Sequence, residues 1–382
     1  MRIQEILIYP VELAFGADFS HSKRKGRLAQ NLVIELTATH GEVNGFGEGA
    51  PRQYVTGETQ GTAVAAAQEL ILRKDFPWDL DEPSQLWSFI DGLPGGKSFN
   101  SALCALETAA LDALGKERLT GIKNLLPQDF AANKITYGAT LPLSNQDRLR
   151  ELCVLAKRLK ITSIRIKAGD DLEKNRQSMA LVRECSGDGC DIRIDANGCW
   201  DKNLALAHIP LVDCFDITVV EQPMAPGDDS LQEFSSALKG TRARLMADES
   251  VCTLEEARKT VREGVYSIVN VRLSKCGGFR RSLSIIDYLR GMEIPFQIGC
   301  QLGESGLLSA AGRALGLVCR DALYYDGSYD AFLLSENLTT ENVAFGAGGA
   351  GKELPGNGLG VEVDRDRLLN MSRSKKLIIK RP

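Results

Sequence analysis

Between residues 132 and 330 the chain repeats one event eight times: a short apolar run ends on a polar or reactive residue. The terminating residues are Thr140, Lys167, Asp195, Glu221, Asp248, Lys275, Cys300 and Asp326, separated by 27, 28, 26, 27, 27, 25 and 26 residues. A strand, a helix and two connections of average length sum to roughly 25 residues. Between the runs lie amphipathic stretches such as "QDRLRELCVLAKRLK" (146–160), with Leu149, Leu152, Ala156 and Leu159 on one helical face. Eight strand–helix units in a row predict an α/β fold of the (β/α)8 type, a TIM barrel. The terminating residues then share the C-terminal rim, where barrel active sites are built.

The first 130 residues follow another pattern. "MRIQEILIYPVEL" and "NLVIELTATHGEVNGFGEG" alternate apolar and polar, with His40-Gly41 and Asn44-Gly45 as turn signals. Helical patterns follow over 59–74 and 101–116, the second with Ala102, Ala105, Ala109 and Ala113 as a close-packing face. This predicts an α+β region. A net charge of -4 gives no reason to expect nucleic acid or an anionic membrane surface as partner, and "HSKRKGR" (21–27) reads as a surface loop. The ten cysteines form no C-x-x-C pair and read as reduced, and no secretory segment is recognisable. No apolar run approaches the ~20 residues of a membrane helix, so the expected location is cytoplasmic.

Three consecutive rim positions are acids: Asp195, Glu221 and Asp248. Neighbouring strands lie about 4.8 Å apart, so the three carboxylates must converge. Unscreened, they would repel and raise one another's pKa. A divalent cation removes the conflict, and oxygen donors suit Mg²⁺, with Mn²⁺ as a substitute. The alternative for any single acid is a helix N-cap. Two lysines, Lys167 and Lys275, bracket the acids. A lysine with its ordinary pKa near 10.4 is a poor base at neutral pH and must be lowered by a nearby cation or a metal. Arg165, two residues before Lys167, points to the same side of its strand and supplies such a charge.

On the elements "RIKAG" (165–169), "DANGCW" (195–200), "EQP" (221–223), "ADES" (247–250) and "SKCGG" (274–278), the chain resembles the enolase superfamily, in its muconate-lactonizing subgroup. The resemblance runs over essentially the whole length. It implies a modified barrel over 131–350, with a capping domain built from 1–130 and the returning segment 351–382. It implies Mg²⁺ on Asp195, Glu221 and Asp248. It also implies catalysis by Lys167 and Lys275, with the α-proton of a carboxylate removed to give an enediolate. Asn197 and Glu249 would orient ligands or lysines, and Glu304 in "GCQLGES" (299–305) would be a polar wall residue, or else a helix N-terminal acid. Two cap loops in that family meet the substrate, making Phe19, His21, Tyr54 and Val55 candidate contacts beside Arg165, Thr140 and Asp326 on the rim. Homo-oligomers are common in the family.

Two departures limit the substrate. The first basic residue of the K-x-K element is Arg165, and the Asp-x-Asp of dipeptide epimerases is replaced by "DGSYD", with Asp326 and Asp330 four apart. No histidine falls on a predicted strand end, which argues against a lysine–histidine acid–base pair. The expected activity is that of a Mg²⁺-dependent isomerase or lyase, muconate-cycloisomerase-like. Epimerisation of a dipeptide or N-acyl amino acid, or a succinylbenzoate-type dehydration, needs the same groups. A barrel that binds carboxylates without catalysis, and a Schiff-base aldolase, are the readings from other classes.

Overall fold

The computed structural model describes residues 1–16, 28–38 and 41–382. Strands β1 (Ile3–Ala14), β2 (Leu28–Ala38) and β3 (Val43–Gly49) form an antiparallel meander. Helices α1 (Gln60–Ile71), α2 (Pro83–Asp91) and α3 (Asn100–Glu117) follow. The small-residue face of α3 packs directly on β3. A Cβ on Gly45, Gly47 or Gly49 would stand 2.0–2.1 Å from carbonyl oxygens of Ala109, Ala105 or Ser101. Helix and strand backbones therefore touch, which only alternating glycines permit.

After β4 (Lys134–Thr136) the strand–helix units begin. They are β5 (Ala139–Leu141) with α4 (Gln146–Arg158), β6 (Ser163–Lys167) with α5 (Leu172–Ser186), and β7 (Asp191–Asp195) with α6 (Lys202–Cys214). Then come β8 (Ile217–Glu221) with α7 (Leu231–Leu238), and β9 (Arg244–Ala247) with α8 (Leu254–Glu263). The strand β10 (Ile268–Arg272) is followed by the single turn α9 (Leu273–Cys276) and by α10 (Gly278–Gly291). Last are β11 (Phe296–Gly299) with α11 (Gly306–Leu317), and β12 (Tyr324–Tyr325) with α12 (Asp330–Leu333). Strands β5 to β12 form one parallel curled sheet in chain order. Its two edges approach where Gly138 N–H donates to the Tyr325 carbonyl at 2.9 Å.

The eighth unit departs from the regular pattern. Its helix α12 is four residues long, and the chain then runs through Asn, Thr and Gly-rich sequence to β13 (Ala350–Lys352). Those residues favour turns over a helix, so a full eighth helix never forms. Its place against α4 is only partly taken, and Leu152 and Leu159 on the α4 apolar stripe stay half-buried. The chain ends with α13 (Arg365–Met371) and β14 (Leu377–Lys380), which pairs antiparallel with β1.

The helices carry their own caps. Asn145, Asp171, Asp201, Thr253 and Ser305 each accept a first-turn N–H of α4, α5, α6, α8 and α11. Asp195, Glu221 and Asp248 are not among these caps, so capping does not account for them. The α11 N-terminus receives a second carboxylate, because Glu48 of β3 accepts the Ser305 and Leu308 N–H groups at 3.1 and 3.0 Å. That contact docks the first sheet onto the rim of the second. Among the described residues no helix is long and apolar enough to cross a membrane.

Candidate metal and acid–base site

Parallel register places the acids. Lys167 is level with Asp195 and Asp195 with Glu221, while Glu221 is level with Met246, two residues before Asp248. Period-two alternation turns all four side chains to the same face. The three carboxylates are buried and each offers an oxygen within 4.8 Å of the others. Their orientation is fixed by neighbours. Asn197 N–H donates to Asp195 Oδ1 at 2.9 Å, and Asn270 Nδ2 to Glu221 Oε1 at 2.7 Å. The Gln222 side-chain oxygen Oε1 accepts the Asp248 and Ser250 N–H groups at 3.0 and 3.2 Å. Converging, buried, all-oxygen donors fit Mg²⁺. Guanidiniums also reach them: Arg165 Nη1 donates to Glu221 at 2.7 Å and Asp195 at 3.2 Å, and Arg272 pairs with Asp248. Burial works against ionisation of Asp195, yet Lys167 and Arg165 hold its carboxyl below the usual range.

The two amines abut opposite members of the trio. Lys167 Nζ donates to Asp195 Oδ2 at 2.5 Å and Asn197 Oδ1 at 2.8 Å. Lys275 Nζ donates to Asp248 Oδ1 at 2.9 Å and to the carbonyls of Asp248 and Asn270 at 2.7 and 2.6 Å. Lys275 sits on α9, which ends where Gly277 and Gly278 take φ of 89° and 88°. That left-handed pair explains the "GG" of the motif. Lys275 is 0% exposed, and burial pushes its ammonium below the ordinary lysine range, with Arg272 adding to the effect.

A cavity of about 310 Å³ opens on this cluster, and Arg165, Lys167, Asn197 and Arg272 line it. Lys275 does not, so Arg272 forms the wall on its flank. Of the candidate contacts, Thr140, Tyr54 and Glu304 line the cavity. Thr140 Oγ1 lies 3.1 Å from the Tyr329 hydroxyl and accepts from Arg165 Nε at 3.3 Å. Glu304 Oε1 accepts the Gln301 N–H at 2.5 Å; burial, with Glu48 nearby, pushes its carboxyl up to about 8. Glu249 accepts from Asn197 Nδ2 at 3.1 Å, completing a chain from Lys167 through Asn197.

Two candidates are placed elsewhere. Asp326 accepts Arg193 Nη2 at 2.9 Å and Arg165 Nε at 3.1 Å, is 1% exposed and does not line the cavity. It is an internal counter-ion, with Arg193 stacked 4.2 Å above the Tyr324 ring, and is not free to meet a substrate cation. Val55 is buried beside Cys252 and does not line the cavity. Phe19 and His21 lie outside the described residues. His208, the one histidine among the described residues, stacks on Trp200 at 3.8 Å and supports packing. Sequence reading missed Arg272, Asn270, Gln222 and Tyr329. For Asn270 and Arg272 a signal existed, since both are polar residues inside the apolar run "SIVNVRL".

Residues 148–367, more than half of the chain, match the family model described as Enolase C-terminal domain-like. A hydrophobic dipeptide epimerase of Enterococcus faecalis is 25% identical over 81% of this chain and 86% of its own length. Muconate cycloisomerase 1 of Rhodococcus opacus is 25% identical over 91% of this chain and 92% of its own. The fold is shared with a dipeptide epimerase from Cytophaga hutchinsonii, solved with Mg and the dipeptide D-Ala-L-Val. That structure has a TM-score of 0.84 at 22% identity and covers 100% of both chains. With the acid trio, the eight-stranded parallel sheet and these relatives in agreement, the chain belongs to the Enolase C-terminal domain-like family and is an enzyme of the enolase superfamily.

Proposed function

We propose that this enzyme removes and returns the α-proton of an N-acylated amino acid, inverting its configuration, with Mg²⁺ held by Asp195, Glu221 and Asp248. The observation that carries the reading is the pair of amines on opposite flanks of one carboxylate cluster, 2.5 Å from Asp195 and 2.9 Å from Asp248. Proton removal from one face and return from the other needs a base and an acid so placed. When bound, Mg²⁺ supplies positive charge to the substrate carboxylate, where negative charge builds as the proton leaves. Lys167 exchanges the proton with the α-carbon directly from the cavity wall, and Lys275 does so from behind Arg272, whose side chain must leave Asp248 to open that flank. Asn197 orients Lys167, Glu249 orients Asn197, and Arg165 keeps a fixed charge beside the acids. Glu304, neutral at pH 7, offers an O–H to the substrate.

The α-nitrogen is assigned as acylated because an ammonium requires a free carboxylate. Asp326 is engaged by Arg165 and Arg193. Asp330, on the cavity wall, accepts from Asn337 Nδ2 at 2.6 Å, and burial favours its neutral form. Cycloisomerisation of a muconate-like diacid is a second reading, supported by the Arg165 and Arg272 guanidiniums on the cavity wall. Incubation with Mg²⁺ and each hand of N-acetyl amino acids in heavy water decides between them. Deuterium at the α-carbon with loss of optical activity is the expected result. Lactone formation from a muconate without such exchange would replace the first reading by the second.

A further inference from the structure

The cavity is longer than the acid–base site needs. From Lys167 and Arg165 it passes Thr140 and Tyr329 at the end of β5 and continues between α4 and the segment that stands where an eighth helix would be. On that side its wall includes Leu152, Leu155 and Leu159 of α4, facing Phe332, Leu333 and Phe345. The α4 residues recur at three-to-four spacing on one face of the helix. Leu152 and Leu159 remain half-buried, and Leu155 and Phe332 are exposed at 37% and 46%. The opposite wall is firm. The Phe345 ring stacks with Tyr137 at 5.9 Å and meets Tyr329 edge-on at 5.9 Å and Phe332 at 5.4 Å. Arg148 also lines the cavity, and its guanidinium is held by Glu151 at 2.8 Å.

We infer that this slot, opened by the missing eighth helix, receives an uncharged apolar arm of the substrate. The arm belongs to the same molecule whose carboxylate lies at the acids, because one continuous cavity joins the two ends. Apolar walls reward an aliphatic or aromatic arm. The two charged residues on that side are already engaged, Arg148 by Glu151 and the Asp330 carboxyl by Asn337 Nδ2 at 2.6 Å. The inference rests on the proposed α-proton chemistry for which end enters first, but not for the arm itself. The preferred substrate is therefore an amino acid acylated with a long aliphatic or aromatic group, in place of an acetyl or a charged acyl group.

The test compares N-acetyl, N-hexanoyl and N-succinyl forms of one amino acid, with full-length protein and Mg²⁺. Two readouts run in parallel: α-deuterium exchange and calorimetric binding. The hexanoyl form should exceed the acetyl form by at least roughly tenfold in kcat/KM, the gain a few methylenes bring in an apolar pocket. Leu155→Ser and Phe332→Ser, at exposed positions where folding is not at stake, should reduce that hexanoyl-to-acetyl ratio by roughly tenfold. Exchange that is indifferent to arm length, or faster with the succinyl arm, overturns the inference while leaving the proposed chemistry standing. If no form exchanges, the chemistry fails, and the arm is judged by binding alone. A hexanoyl preference that Phe332→Ser erases upholds the slot, and equal binding of all three removes it.

Discussion

The two lysine flanks of the site hold the same residue type against the same kind of partner, yet they differ in every other respect. Lys167 ends a strand, faces the cavity and has two side-chain oxygens as acceptors. Lys275 rides a one-turn helix behind Arg272, is fully buried, and has two of its three acceptors from the backbone. Burial favours the neutral amine. The pair is therefore built unequal in its surroundings, and in the proposed reaction one flank acts as base and the other as acid for a given hand of substrate, with roles reversed for the other hand.

The sharpest way to break that comparison is to remove its members one at a time. Chelation of the metal, or Glu221→Ala, should abolish α-proton exchange for both hands of the substrate. Lys275→Ala and Lys167→Ala should each lower exchange by roughly 10²–10⁴-fold, the usual span for a general base, but each for a different hand. Deuterium incorporation measured separately on the two enantiomers reads this out. Loss of the same hand in both variants would mean that the amines do not face opposite sides.

Asn270 ties the buried flank to the metal cluster. Its side chain donates to Glu221 and its carbonyl accepts from Lys275. Asn270→Ala should weaken Mg²⁺ binding by roughly 10–100-fold, as the loss of a ligand's supporting partner commonly does. Calorimetric titration with Mg²⁺ measures it without reference to turnover. Arg272→Met removes a charge, and the pairing with Asp248, from the same flank. Its guanidinium contributes to the lowered Lys275 pKa, so its removal should let that pKa rise. A base must be deprotonated, so the rising limb of the pH–rate profile should move to higher pH for the hand served by Lys275. An equal movement for both hands would deny the asymmetry.

Much of this was legible in the sequence because the eight strand ends carry it. One residue per unit, on a period set by average element lengths, fixes which face each side chain shares. The internal pairing of Asp326 and the burial of Lys275 were not legible for a different reason. Asp326 is paired with Arg193 of β7, 133 residues away, and with Arg165 of β6, and no local pattern announces such a pairing. Lys275 was read as a free rim amine because its burial depends on where the Arg272 side chain lies. The slot along α4 was likewise hidden. The apolar stripe at Leu152, Ala156 and Leu159 looks the same whether it meets a neighbouring helix or a substrate arm, and only the failure of α12 to extend decides between them.

Glu304 offers the smallest and most discriminating change. It lies on the same cavity wall as Arg272, and its carboxyl is pushed up to about 8 from 4.5 by burial, with Glu48 adding to the effect. A carboxyl raised in the folded state binds an extra proton there, so stability falls as pH rises through the window from about 4.5 to about 8 and levels off above it. Glu304→Gln removes that loss. The variant should melt close to the parent near pH 4.5, with a Tm advantage that opens through the window and stays constant beyond it. Turnover at pH 7 should change only a few-fold, because an amide N–H replaces an acid O–H as donor and no proton is transferred. A fall of roughly 10²-fold or more would instead place Glu304 among the groups that move the proton. The two-lysine comparison would then have to become one of three.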